Sequence, residues 1–222
     1  MQKVFFLQQA LPSECPVSLC LDEHLDMDER QYAVLTEAQF EERDFLLDAV
    51  DGQLALKSSD QCPDMCNVGP ALWACSARTW DWLSGLGSDV LRVNTNVTVK
   101  QGVKQYRMYL PTTIVDLVDH SASEFTYNPH SDIVTSAKQV WLYEWEGTLP
   151  PIFRALYCHE ADRVSCETFV TEEFLAGYRE CRLTGARFSE VRRSPLPAEL
   201  ADGTFDPVVY KYERRKEGRA RS

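Results

Sequence analysis

One stretch, Pro150 to Val191, constrains any fold this chain can adopt, because it sets out two strands, a helix and a closing strand in a row. Ile152, Phe153, Ala155, Leu156 and Tyr157 form an apolar run of strand length, interrupted only by Arg154. His159 to Arg163 is a polar break, and Thr168-Phe169-Val170 resumes β-type chemistry. Thr171 followed by Glu172 and Glu173 predicts a helix over about 172–183. The threonine hydroxyl is placed to accept from a first-turn amide, and the carboxylates sit where the helix dipole favours negative charge. Phe174, Leu175, Tyr178 and Cys181 fall on one helical face. Gly185 is expected to stop the helix in the left-handed conformation, and Phe188 and Val191 return the chain to the core.

The remaining segments fit around this unit. Val4 to Leu7 is too short and too sparsely charged at its start for an export signal, so it reads as a first strand. No apolar run approaches the roughly 20 residues that span a bilayer. Ser58 to Asn67 reads as a loop. Ser76 is a candidate N-cap for a short helix near 77–84, closed by Gly85 and Gly87, with Trp73, Trp80 and Trp82 as core material. Val90–Val99 and Tyr106–Leu110 predict a hairpin turning at Gly102. Ile114–Val118 and Val140–Trp145 are further strands, and Tyr127 to His130 is turn chemistry. The expected fold class is α+β, a mostly antiparallel twisted sheet with a few helices. Residues 1–88 form an acidic, more irregular half, residues 89–193 a β-rich half, and residues 194–222 a proline-punctuated, basic tail.

Charge narrows the choice of partner. With 34 acidic against 23 basic side chains, the net charge is −11. Such a surface repels nucleic acid and attracts basic proteins. The acids crowd between Glu14 and Asp51, and the candidate partner-binding residues are Asp22, Glu23, Asp26, Asp28, Glu29, Glu37, Glu41, Glu42 and Asp44. The eight cysteines read as free thiols in a reducing cytoplasm, since a chain of this length has no need of disulfide staples. Cys62, Cys66 and Cys75 lack the second pair that a structural zinc site requires. Cys158 and His159 are strand neighbours that point to opposite faces, so they are no catalytic dyad. Asp116 and Asp119 lie three apart near a strand end, a position that can hold a cation, but two carboxylates alone are weak evidence for one. No nucleophile elbow, phosphate loop or dinucleotide fingerprint is present. The expectation is therefore no catalytic residue, no metal and no cofactor, with no nucleic-acid or membrane partner.

Several pieces taken together resemble the bacterial polymorphic-toxin immunity protein family 11, formerly a domain of unknown function. They are Tyr106 to Leu110, Ile114 to Ser121, Ile152-Phe153-Arg154, Thr168 to Phe174 and Leu183 to Val191, spanning about residues 104–191. The resemblance implies a non-enzymatic cytoplasmic inhibitor that binds and neutralises a cognate toxin domain. The charge points the same way, because intracellular toxins such as nucleases are basic when they bind nucleic acid. The expected mode is occlusion of the toxin active site or a lock on the toxin's conformation, and the sequence does not choose between them. The alternatives are a small hydrolase or transferase that reverses a toxin's modification, with His24, His120, His130 and His159 as first suspects, or a general adaptor.

Overall fold

The computed structural model describes residues 2–10, 19–21, 54–56, 63–69, 71–86, 90–99, 102–111, 113–127, 134–158, 163–164, 167–201 and 205–210. In chain order the first elements are β1 (Val4–Gln9), β2 (Leu19–Leu21), β3 (Leu54–Leu56), β4 (Met65–Gly69), β5 (Leu72–Ser76) and helix α1 (Ala77–Gly85). The long hairpin β6 (Val90–Val99) and β7 (Gly102–Pro111) follows, then β8 (Ile114–Val115), β9 (Glu124–Tyr127), β10 (Val134–Gln139) and β11 (Trp141–Tyr143). The last are β12 (Ile152–Cys158), β13 (Arg163–Val164), β14 (Thr168–Thr171), helix α2 (Glu172–Glu180), β15 (Ala186–Glu190), β16 (Arg192–Ser194) and β17 (Val208–Tyr210). With two helices among the described residues and mostly antiparallel pairing, the fold is α+β.

The stretch from Pro150 to Val191 lies at the centre. The first sheet runs β15-β1-β14-β12-β8-β17, with β13 also paired to β12. The first strand of the chain is thus held between two late ones: Phe6 pairs with Phe169 on one side and Ser189 on the other. The second sheet runs β2-β3-β6-β7-β5-β4. A division near residue 88 therefore runs through this sheet, where β5 pairs with β7.

Both faces of the first sheet are covered, and strand alternation explains how. Phe153, Ala155, Tyr157 and Phe169 enter one cluster with Val115, Leu117, Leu142 and Leu149. Their neighbours Ile152 and Val170 enter the opposite cluster, with Trp73, Tyr109, Trp80 and the α2 residues Phe174 and Tyr178. Continuously apolar strands such as β14, buried at every position, are what two-sided coverage demands. The stacked pair Phe153–Phe169 (centroids 5.7 Å, 12° between planes) fills the first cluster. In the second, Trp73 Nε1 donates to Thr168 Oγ1 at 3.1 Å, tying one sheet to the other.

Several sequence expectations are refined. Ser76 does cap α1, accepting from Thr79 N at 3.3 Å, and Trp73 and Trp80 are buried while Trp82 is half-buried. Thr171 occupies the N-cap position of α2, but its hydroxyl makes no capping bond. The amide of Glu172 donates instead to the carbonyl of Lys3, just before β1, at 3.1 Å, so a segment remote in sequence supplies the acceptor. Gly185 is not the helix stop either. Helix α2 ends at Glu180, and Arg182 takes the left-handed conformation (φ 50°). There Leu183 N donates to Tyr178 O and Arg182 N to Arg179 O, the paired bonds of a Schellman motif. Arg78 compensates for the missing glycine, its Nη2 donating to the carbonyls of Cys181 and Arg182 at 2.6 Å each. The strands expected at 114–118 and 140–145 shorten to β8 and β11, and Val118, beyond the end of β8, forms an isolated bridge with Leu142. Within the expected loop 58–67, Met65, Cys66 and Asn67 belong to β4. The exit after Val191 returns to the sheets as β16 and β17, while residues 211–222 lie outside the described residues.

Gly185 serves a different purpose. Its φ is +100°, and a Cβ there would lie 1.9 Å from the Met65 carbonyl oxygen, a backbone atom that cannot step aside. Gly185→Ala is expected to destabilise the protein by about 3 kcal/mol or more, because backbone strain and a backbone clash coincide. Urea denaturation checks this, and an unchanged midpoint would rule the close approach out as a constraint.

Candidate functional site

Two features stand out on the side of the first sheet where β11 and β16 pair in parallel. The first is a carboxylate post. Asp119 follows the Val118 bridge and is only 5% exposed. Its Oδ1 accepts from Ser121 N (2.9 Å), Ser121 Oγ (2.6 Å) and Ala122 N (3.1 Å), and its Oδ2 accepts from Ser194 Oγ (2.6 Å). Burial alone would raise its pKa, but these hydrogen bonds to the ionised form outweigh burial and hold the carboxyl below its ordinary value. Tyr143 OH lies 3.5 Å from Oδ1. Burial first, and the Asp119 charge second, push that phenol's pKa up. The carboxylate that sequence offered as a weak cation ligand is thus engaged in fastening β16 to a turn. Asp116 is half-buried nearby, with its amide donating to Pro207 O at 2.7 Å.

The second feature is a cleft of about 690 Å³, within the size range of ligand-binding pockets. Trp145 and Phe205 meet there edge to face, with centroids 5.8 Å apart and planes at 85°. Leu196 and Leu200 add aliphatic wall, and the exposed carboxylates of Glu144 and Glu146 complete the lining. Gly147 sets the position of the indole, since a Cβ there would fall 2.5 Å from Trp145 Nε1. The post supports the cleft: Ser194, held by Asp119, accepts through its carbonyl from Glu144 N at 2.8 Å. Arg193, also on β16, is half-buried, and its guanidinium nitrogens have no hydrogen-bond partner among the described residues. Burial pushes its pKa down, and the charge of Glu144 opposes that shift.

The residues singled out from sequence fare unevenly. Asp22, Glu23, Asp26, Asp28, Glu29, Glu37, Glu41, Glu42 and Asp44 all lie outside the described residues, as do His24, His130, His159 and Cys62. His120 is exposed beside Phe125, ring centroids 5.6 Å apart. Cys66, Cys75 and Cys181 are free thiols. Burial drives the Cys75 pKa far upward, and the charges of Cys66 and Asp64 push the same way, against the thiolate form. Among the described residues no group of three His, Cys, Asp or Glu converges as a metal site. No described helix is long and apolar enough to cross a membrane. The cleft went unnoticed in the sequence because Trp145 and Phe205 sit in separate segments, and the second follows a run that reads as an exit from the fold. No protein-family model matches the chain, and no curated protein matches it.

The lowered pKa of Asp119 makes a signed prediction. A carboxyl with a depressed folded-state pKa contributes stability above its unfolded value, and that contribution disappears as pH falls through the folded value. Asp119→Ala is therefore expected to cost about 2–3 kcal/mol at neutral pH, the usual scale for hydrogen bonds to a charged acceptor. The gap to wild type should narrow once pH falls below the ordinary value of 3.8. Urea midpoints for both proteins at neutral and acid pH test this, and a gap independent of pH would refute it.

Proposed function

We propose that the chain is a non-catalytic inhibitor, an immunity protein that binds and neutralises a cognate bacterial toxin domain of basic character, acting in the cytoplasm by occlusion. The observation that carries the reading is the net charge of −11. A field of that sign speeds encounter with a basic protein and disfavours nucleic acid. A toxin that itself binds nucleic acid carries the complementary surface, and an acidic inhibitor competes directly for it. The resemblance over residues 104–191 supports the same reading. The structure adds a compatible surface on the described side of the protein: an aromatic and aliphatic cleft with Glu144 and Glu146 in its lining. Buried aromatic anchors surrounded by a polar rim are the usual source of binding energy at protein interfaces. The acidic block from Asp22 to Asp51 supplies long-range attraction in this scheme.

Co-expression with the product of the neighbouring gene tests the reading. A stable complex on pull-down and restored growth are expected, and absence of both would refute the immunity role. Within a complex, reversing the charges of Asp22, Glu23, Asp26, Asp28 and Glu29 together should slow association by about tenfold or more at low salt and flatten its salt dependence. Unchanged association kinetics would remove the acidic block from the encounter surface.

A further inference from the structure

We propose that the cleft between Trp145 and Phe205 seats an arginine side chain of the basic partner, an inference that rests on the inhibitor reading above. Shape, ring geometry and charge each narrow the occupant. In an edge-to-face pair, the ring that offers its edge keeps both of its own faces clear of the other. Trp145 and Phe205, paired at 85°, both line the cleft of about 690 Å³, so aromatic surface borders a space larger than one side chain. Trp145, Leu196, Leu200 and Phe205 are all only half-buried, so this apolar surface is open to an incoming group.

Charge then selects the chemistry. Glu144 and Glu146 are the charged groups that line the cleft among the described residues, and both are exposed. Arg193 sits near Glu144 and offsets part of its charge, but it is not part of the lining, to which Glu146 adds a second carboxylate. An anion would meet two carboxylates. An aliphatic plug would strip water from those carboxylates and return no hydrogen bond. A guanidinium satisfies both requirements, because its flat face stacks on an aromatic ring while its edge donates to carboxylate oxygens. Lysine, a compact and strongly hydrated point charge, matches a flat aromatic wall less well. Gly147 leaves the indole the space it occupies, since a side chain there would collide with the ring.

The test follows the indole N–H of Trp145 by NMR in the full chain, with the resonance assigned through Trp145→Phe. The probe is the capped peptide acetyl-Gly-Arg-Gly-amide, compared with the same peptide carrying citrulline, which keeps the shape and loses the charge. A saturable shift at Trp145 is expected with the arginine peptide, and citrulline should bind about tenfold more weakly, as should arginine to the Glu144→Gln, Glu146→Gln double variant. These surface substitutions preserve the fold, so the test does not depend on a core variant. Equal responses to both peptides, or shifts confined to other tryptophans, would overturn the proposal. The chain's own Arg214 and Arg215 carry the same chemistry. If Arg214→Gln with Arg215→Gln moves the Trp145 resonance before any peptide is added, the tail is the occupant and the proposal fails. Peptide binding at Trp145 without growth rescue would leave the arginine site standing and remove the toxin as its source. Rescue without peptide binding would remove the arginine site alone.

Discussion

The contact between the Pro63-Asp64-Met65 segment and Leu183-Thr184-Gly185 holds the two sheets and both helices in one arrangement. Asp64 Oδ2 accepts from Thr184 N and Thr184 Oγ1, each at 3.0 Å, while Oδ1 accepts from Ser76 Oγ at 3.0 Å. In return, Asp64 N donates to Thr184 Oγ1 at 3.2 Å and Met65 N to Thr184 O at 2.9 Å. The Asp64 carbonyl accepts from Ser76 N and Thr79 Oγ1, which fixes the start of α1. One aspartate therefore joins the beginning of β4, the N-cap of α1 and the link from α2 to β15. The backbone-to-backbone approach at Gly185 forces that position to be glycine, and Arg78 seals the end of α2 from the α1 side. Breaking any one bond would cost little, but the groups are shared, so their loss would be cooperative.

This clamp explains why the first sheet can be buried on both faces. With α2 and the second sheet held against one side, Ile152 and Val170 have a complete apolar environment. On the other side, Phe153, Phe169 and Tyr157 meet Leu117, Leu142 and Leu149. Arg154, at 1% exposure in the middle of β12, is the price of this arrangement, a charged side chain inside the strand that both clusters share. Its amide donates to Thr113 O at 2.9 Å, continuing the pairing toward β8.

The sequence announced this core well and the surface poorly, for identifiable reasons. Strands β12 and β14 and the buried face of α2 were legible because apolar period and length agree there. Ser76 was legible as a cap because its hydroxyl acts within its own turn. Thr171 was misread because the acceptor for the next amide is Lys3, remote in sequence. Gly185 was misread because its left-handed φ answers to Met65 in β4, while Arg182 ends the helix with help from Arg78. The cleft was invisible for the same reason: nothing local to Trp145 announces Phe205, and nothing local to Ser194 announces Asp119. Composition alone carries the chain's own net charge of −11, since that property needs no long-range contact to be read.

Both faces of the first sheet are covered, so in the inhibitor reading recognition falls to the surfaces around them. Charge and anchoring then separate physically. Long-range attraction depends on the summed charge and tolerates loose placement, because potentials reach about a Debye length of 8 Å at physiological salt. A seated side chain tolerates no such looseness, and its groove must be rigid before the partner arrives. The chain provides that rigidity at the cleft through a relay of short contacts. Asp119 holds Ser194, the Ser194 carbonyl holds the amide of Glu144, and Gly147 lets the Trp145 ring settle against the backbone. The buried carboxylate of Asp119 thus acts as a fastening, and the relay fixes the backbone of Glu144 beside the cleft.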